Sequence, residues 1–296
     1  MQLSGHASEP HMNTALPTIA GFWYGSDLSW LEALCIRSYL DRGHRFVLYT
    51  SHPVAGLPDG TEMRPAADIL WPPPFAMDHT DRLKVAVFSD LFRLRLSHLT
   101  DFIWVDLDAY CVKPFAFSSV YVFGRSQTGE FPNGVLRLPP TSRALELMLA
   151  FLTSPNPTQP WRGPRMQRRN IQRVRQGESW GIESLPWGSS GPKALQHFLT
   201  QTDEDRYAME ADVFYPLAKA DFLHLHDPAV RTSQIERPNV HSVHVYGHQK
   251  KLLSQTANGL PFVGSYLHRL CQRHGIEPEA NPIRPVGWLA PSATEH

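Results

Sequence analysis

Two aspartates flanking one leucine, Asp106-Leu107-Asp108, follow the apolar run Phe102-Ile103-Trp104-Val105. Side chains alternate along a strand, so at a strand end both carboxylates would point one way and Leu107 the other. Adjacent carboxylates repel, and each raises the other's pKa unless a cation lies between them. A divalent metal relieves that repulsion and can then hold a diphosphate. Strand ends are also where ligands bind in open α/β sheets. A solvated strand end would carry the same two acids, so the neighbouring residues must decide between the readings.

Asp90 and Arg93 precede the acid pair on an expected helix. Three residues apart, they share a face and can pair. Leu91 and Phe92 on the same turn should be buried, which puts Asp90 and Arg93 at the rim of a packed site. A carboxylate beside a guanidinium suits sugar hydroxyls, since one accepts and the other donates. Downstream, His244 lies in His241-Ser242-Val243-His244-Val245-Tyr246-Gly247-His248. On a continuous strand it would share a face with Tyr246 and His248. A neutral imidazole is a good manganese ligand. His224 and His226 also alternate, but no nearby acid completes a metal set, and they are assigned structural roles.

The elements that must position these groups follow an α/β pattern. Ile19 to Tyr24 reads as a first strand. Asp27 caps a helix beginning near Leu28 and closing at Gly43, and His44 to Thr50 is a second strand. That order is a parallel crossover unit. Ser51 to Ala76 is loop with room for a short strand or helix, most ordered at Asp68-Ile69-Leu70. Leu83 to Leu99 is a helix with a wide apolar stripe. Asp101 to Val112 is the strand carrying the acids. A strand Val135 to Leu138, a helix Thr141 to Leu152 and a helix ending at Leu199 follow. Val213 to Pro216 and Val240 to Tyr246 read as late strands, and Tyr266 to His274 as a last helix. One domain over residues 18–275 is expected, between a loose tail at 1–17 and a Pro-rich tail at 276–296.

Of 296 residues, 42% are hydrophobic and 19% charged, which suits a globular domain. Net charge is zero, so no global field favours nucleic acid or membrane. Cys35, Cys111 and Cys271 are far apart and odd in number, which disfavours a zinc knuckle or a disulfide framework. No apolar run could span a bilayer. With no leader pattern at the N-terminus, a cytoplasmic protein is expected, at most peripheral at the inner membrane. Ser154 to Gly177 reads as a solvated loop, yet it concentrates Arg162, Arg165, Arg168, Arg169, Arg173 and Arg175. These could close over donor phosphates, or meet an anionic acceptor or a membrane surface.

Together, Ser89-Asp90-Leu91-Phe92-Arg93, then Ile103-Trp104-Val105-Asp106-Leu107-Asp108, then Pro114-Phe115 resemble the DXD-motif sugar transferases. That group, of the glycosyltransferase family 32 type, includes initiating mannosyltransferases, the galactosyltransferase of globoside synthesis and bacterial capsule or lipopolysaccharide transferases. Phe22-Trp23-Tyr24-Gly25, Ser38-Tyr39-Leu40, Gly43-His44, Leu48-Tyr49, Trp187 with Gly191-Pro192, and His244 extend the resemblance over roughly residues 18 to 270. Two glycines common before the first acid are replaced by Asp101 and Phe102, and a usual tyrosine by Trp104. The resemblance implies a GT-A-type nucleotide-binding sandwich with a central, mostly parallel sheet. It implies that Asp106 approaches the ribose and the metal and that Asp108 coordinates Mn2+ (or Mg2+), with His244 a further ligand. It also implies that Asp90 and Arg93 hold donor-sugar hydroxyls, and that Phe22, Trp23 and Tyr24 line the nucleobase pocket.

The expected activity is metal-dependent transfer of a hexose from a nucleotide-sugar donor to a glycan or lipid-linked acceptor, with retention. Asp106, Asp108 and Arg93 would carry the chemistry. Asn133, Glu178 and Glu183 are candidates to meet the acceptor. Two other classes share features of this pattern. A haloacid-dehalogenase-type phosphatase also starts from a strand ending in Asp-x-Asp, but wants a small polar residue where this chain has Tyr110. A non-catalytic nucleotide-sugar-binding protein would not need Asp90, Arg93 and both acids intact.

Overall fold

The computed structural model describes residues 15–78 and 80–284. Most of the expected N-terminal tail, and the C-terminal tail from residue 285, lie outside the described residues. Within residues 276–284, Pro278 and Ile283 are buried while Glu277, Glu279, Ala280 and Arg284 are exposed. Ile283 is buried and its N–H bonds the Gly259 carbonyl at 3.1 Å.

Among the described residues there are seven strands: β1 (Ile19–Trp23), β2 (Phe46–Thr50), β3 (Glu62–Pro65), β4 (Ile103–Val105), β5 (Ala109–Cys111), β6 (Val135–Leu136) and β7 (Ser242–His244). Helices are α1 (Trp30–Asp41), α2 (Arg82–Leu99), α3 (Arg143–Thr153), α4 (Pro164–Arg175), α5 (Pro192–Gln201), the single turns α6 (Ala211–Phe214) and α7 (Thr232–Ile235), α8 (Gly247–Thr256) and α9 (Tyr266–His274). The central sheet runs β3-β2-β1-β4-β6. Its β3-β2-β1-β4 pairings are parallel, and β6 is antiparallel to β4. β5 and β7 form a separate antiparallel pair. The protein is therefore mixed α/β with a mostly parallel central sheet, compatible with the GT-A-type architecture.

Alternation sorts the sheet into two faces. Ala20, Phe22, Val47, Tyr49 and Trp104 pack on α2, α3 and α5. Ile19, Phe46, Leu48, Ile103 and Val105 face the side that carries Ile36 and Tyr39 of α1. Both faces of the sheet are covered, which is why β2 is buried throughout and reads as an unbroken apolar run. No described helix is long and apolar enough to cross a membrane.

Several elements depart from the sequence expectations. α1 starts at Trp30 and not near Leu28, because Ser29 and Glu32 form its entry. The Glu32 carboxylate accepts the Ser29 N–H at 2.9 Å and also the Ser29 hydroxyl. Asp27 instead pairs with Arg284. The strand expected over Asp101–Val112 is broken. Ala109 N–H bonds the Asp106 carbonyl at 2.9 Å, so Asp106-Leu107-Asp108 is a turn that carries the chain from the central sheet into the second one. The strand expected at Val213–Pro216 is the helical turn α6, which buries Phe214. The late strand stops at His244; Tyr246, at φ +66°, opens α8. The arginine-rich stretch expected to be loop contains α4.

Candidate active site

The turn between β4 and β5 presents both acids, and strand pairing delivers the third group. β7 lies against β5 with His244 opposite Ala109, the residue after Asp108. The backbone locks this register, since Val245 N–H bonds the Asp108 carbonyl at 2.8 Å. His244 Nε2 comes to 3.5 Å from Asp106 Oδ2 and 3.3 Å from Asp108 Oδ1. Ligand atoms from all three residues lie within 4.8 Å of one another. The acids share a side as expected, but a turn rather than strand alternation puts them there. Tyr246 and His248, expected on the same strand face, lie beyond the end of β7. His226 is structural, hydrogen-bonded through Nε2 to Gln249 at 2.7 Å.

The set fits a divalent cation. Two carboxylates and an imidazole are the donors that manganese accepts. Room is left by Gly134: a Cβ there would stand 2.5 Å from His244 Nε2 and 3.2 Å from Asp106 Oδ2. The imidazole is held between Tyr246 and Tyr215, with ring centroids at 4.1 and 5.9 Å. Its buried Nδ1 has no partner among the described residues, so the ring is held by this packing and by the Nε2 contact with Asp106.

Burial would raise the Asp106 carboxyl, but the Arg93 guanidinium and His244 outweigh it and hold the pKa down at about 2. Burial raises Asp108, and Asp106 adds to the rise while His244 opposes it. Burial would lower His244, but the two carboxylates raise it instead. A proton on the imidazole and a metal ion thus compete for one electrostatic niche.

Asp90 and Arg93 are deeply buried on α2, further inside than a rim. They approach each other only to 3.5 Å. Arg93 Nη1 reaches instead to Asp106 Oδ1 at 3.1 Å and to the Asn133 carbonyl at 2.6 Å, and the guanidinium stacks on Trp104 at 4.7 Å. Trp104 Nε1 also donates to Asp106 Oδ1, at 2.9 Å. Asp90 accepts from Asn133 Nδ2 at 2.7 Å and from the Ser190 hydroxyl at 2.6 Å. The two residues expected to grip a ligand are therefore first of all held by protein. Gly191 makes this possible, since a Cβ there would lie 2.7 Å from Asn133 Nδ2 and 2.8 Å from both Asp90 oxygens.

These groups border a cleft of about 670 Å³ at the carboxyl ends of β1 and β4. Trp23 and Tyr24 line it half-buried, with Tyr24 against Trp71 at 5.7 Å and His52 at 5.8 Å. Phe22 touches the cleft, but its ring is in the core between Phe88 and Phe92, so it offers no free face for a nucleobase. Asn133 borders the cleft as expected, whereas Glu178 and Glu183 do not.

Sequence reasoning missed Lys250, on the first turns of α8. It pairs with buried Glu32 and sits over the Trp23 ring at 5.8 Å. Burial opposes its charge, but Glu32 and Asp108 outweigh that and raise its pKa. The Ser29-x-x-Glu32 capping pattern marked one half of this pair; nothing local marked the other.

No family model matches the chain, and no curated protein matches it. Among solved structures the chain is similar to the PaToxG glycosyltransferase, at 13% identity over 88% of this chain and 86% of that one, with a TM-score of 0.42.

Proposed function

We propose that the protein is a metal-dependent glycosyltransferase that moves a hexose from a nucleotide-sugar donor to a glycan or lipid-linked acceptor, with retention. The observation that carries this reading is the convergence of Asp106, Asp108 and His244 in a cleft that also presents aromatic rings and a lysine.

In this reading Asp108, Asp106 and His244 hold Mn2+ or Mg2+. The ion, when bound, supplies a Lewis acid for the charge on the departing nucleoside diphosphate. Arg93 and Trp104 keep Asp106 ionised and fixed before any donor arrives, so little reorganisation is needed. Lys250, poised by Glu32, offers an ammonium to the diphosphate. Trp23 and Tyr24 offer rings to the base. Asp90, fixed by Asn133 and Ser190, keeps lone pairs for a sugar hydroxyl.

The phosphatase alternative needs a carboxylate free to attack phosphorus. Asp106 is poorly suited, with Oδ1 engaged by Arg93 and Trp104 and Oδ2 turned to His244.

A panel of nucleotide sugars incubated with the protein and Mn2+ tests the proposal. Sugar release from one donor, lost with chelator and in Asp106→Asn and Asp108→Asn, is the expected result. Phosphate release from a simple phosphoester without any nucleotide would favour the phosphatase. Saturable donor binding with no turnover would favour a binding protein.

A further inference from the structure

The chain is balanced overall at 28 basic and 28 acidic residues, yet residues 154–177 hold six arginines and no acid. Arg173 is neutralised: it pairs with Glu178 at 2.7 Å and stacks on Trp180 at 4.3 Å. Among the described residues, Arg165, Arg168, Arg169 and Arg175 have no acidic partner. All four are exposed and lie on α4, which is about 18 Å long at the usual helical rise.

The helix has a defined orientation. Met166, Asn170 and Arg173 share the side turned to the body, and Asn170 is the helix's buried residue. Arg168 and Arg175 therefore crest the opposite side, with Arg165 and Arg169 on one flank. Ile171 and Val174 occupy the other flank, 54% and 44% exposed. These residues form an exposed ridge, with Arg169 bordering a shallow surface depression beside Glu178, and line no part of the cleft, which removes them from the donor phosphates.

The ridge is tied to the cleft all the same. Asn170 Nδ2 bonds the Thr158 hydroxyl at 3.3 Å, and Gln159 Nε2 bonds the Ser189 hydroxyl at 2.7 Å. Ser190, the next residue, holds Asp90. The same loop carries Trp187, 67% exposed, at the cleft wall.

We infer that α4 is a peripheral docking ridge for an anionic phospholipid surface, with its four free arginines on headgroup phosphates and Ile171 and Val174 entering the boundary beside them. Charge alone would suit any polyanion. The exposed aliphatic flank selects a partner with both an anionic face and an apolar interior. A single-stranded nucleic acid would call for aromatic platforms, and the ridge has none. Docked through α4, the cleft is held at a fixed attitude to acceptors carried in the membrane. The inference goes beyond the proposed chemistry and stands or falls without it.

The test is sedimentation of the full chain with vesicles of phosphatidylcholine alone or with about one-third phosphatidylserine. We expect binding to the anionic vesicles only, weakened by 0.5 M salt. Each arginine at such a surface is worth about fivefold in affinity. The variant R165Q/R168Q/R169Q/R175Q should therefore bind up to several hundredfold more weakly, with an unchanged melting temperature. I171S/V174S should weaken binding in both salt conditions. Equal binding of wild type and the arginine variant, equal binding to neutral and anionic vesicles, or capture of a short RNA without vesicle binding would each overturn the inference.

Discussion

Arg93 on α2 donates to Asp106 Oδ1 at 3.1 Å, closer than its approach to Asp90 one helical turn away. The acid pair is thus charge-balanced from behind, which leaves Asp106 Oδ2 and Asp108 facing the cleft side. Removing one partner of a buried pair leaves an uncompensated charge and costs about 3–5 kcal/mol. We expect Arg93→Ala to lower stability by about 3 kcal/mol in urea denaturation and to lower turnover by roughly 100-fold. Arg93→Lys should rescue little of this, because a lysine cannot serve Asp106, the Asn133 carbonyl and the Trp104 face together. Wild-type turnover in Arg93→Lys would show that charge alone suffices.

Gly134 leaves open the space beside His244 Nε2 and Asp106 Oδ2, two of the proposed ligand atoms. In Gly134→Ala the new methyl would displace His244 or fill the cation's position. We expect Mn2+ affinity, followed by electron paramagnetic resonance, to fall about 10- to 100-fold. The melting temperature of the metal-free protein should change by only a few degrees. Unaltered affinity would mean that this space does not belong to the ion.

Gly191 plays the matching part for Asp90. Gly191→Ala should break the Asn133–Asp90–Ser190 bonds. The expected signature is a raised KM for donor with Mn2+ affinity intact. A loss of metal binding here would contradict the separation of the two subsites.

His44 gives a pH dependence with a defined sign. Its Nδ1 meets the Pro17 carbonyl at 2.8 Å, and its Nε2 accepts the Phe115 N–H at 2.9 Å. A carbonyl can only accept and an amide N–H can only donate, so the neutral Nδ1–H tautomer is locked in. Burial lowers its pKa from 6.5, with the Pro17 carbonyl opposing. The unfolded chain therefore takes up the proton first. The contribution to stability is complete above about pH 6.5 and declines as pH falls from there toward the folded value. Urea unfolding between pH 7.5 and 5.5 should show His44→Gln with a flatter profile, by up to about 1.4 kcal/mol per pH unit. Parallel profiles would remove His44 from the acid response.

Much of this was legible in the chain. β1, β2, α2 and α9 announce themselves because their buried faces impose a period on apolar residues. α4 does not, since the residue it buries is Asn170 and no apolar stripe exists to be seen. β3 is a half-buried edge strand whose Glu62 pairs with Arg45 and Arg64, so it resembles loop. Val213 and Phe214 carry strand propensity that tertiary packing overrode. In the site, Asp106 and Asp108 stood out by their donor chemistry, and His244 was singled out by the family resemblance. Gly134 was not, because a missing side chain has meaning only against the groups it spares. Lys250 was hidden because its partner Glu32 is 218 residues away.

The pairing of β5 with β7 has a consequence during synthesis. His244 meets Asp106 across 138 residues of chain, whereas the whole central sheet is encoded before residue 137. A nascent polypeptide thus carries every strand of the central sheet while holding only two of the three residues of the cluster. Synthesis must run more than 100 residues past the sheet before the Asp106, Asp108 and His244 cluster can be completed.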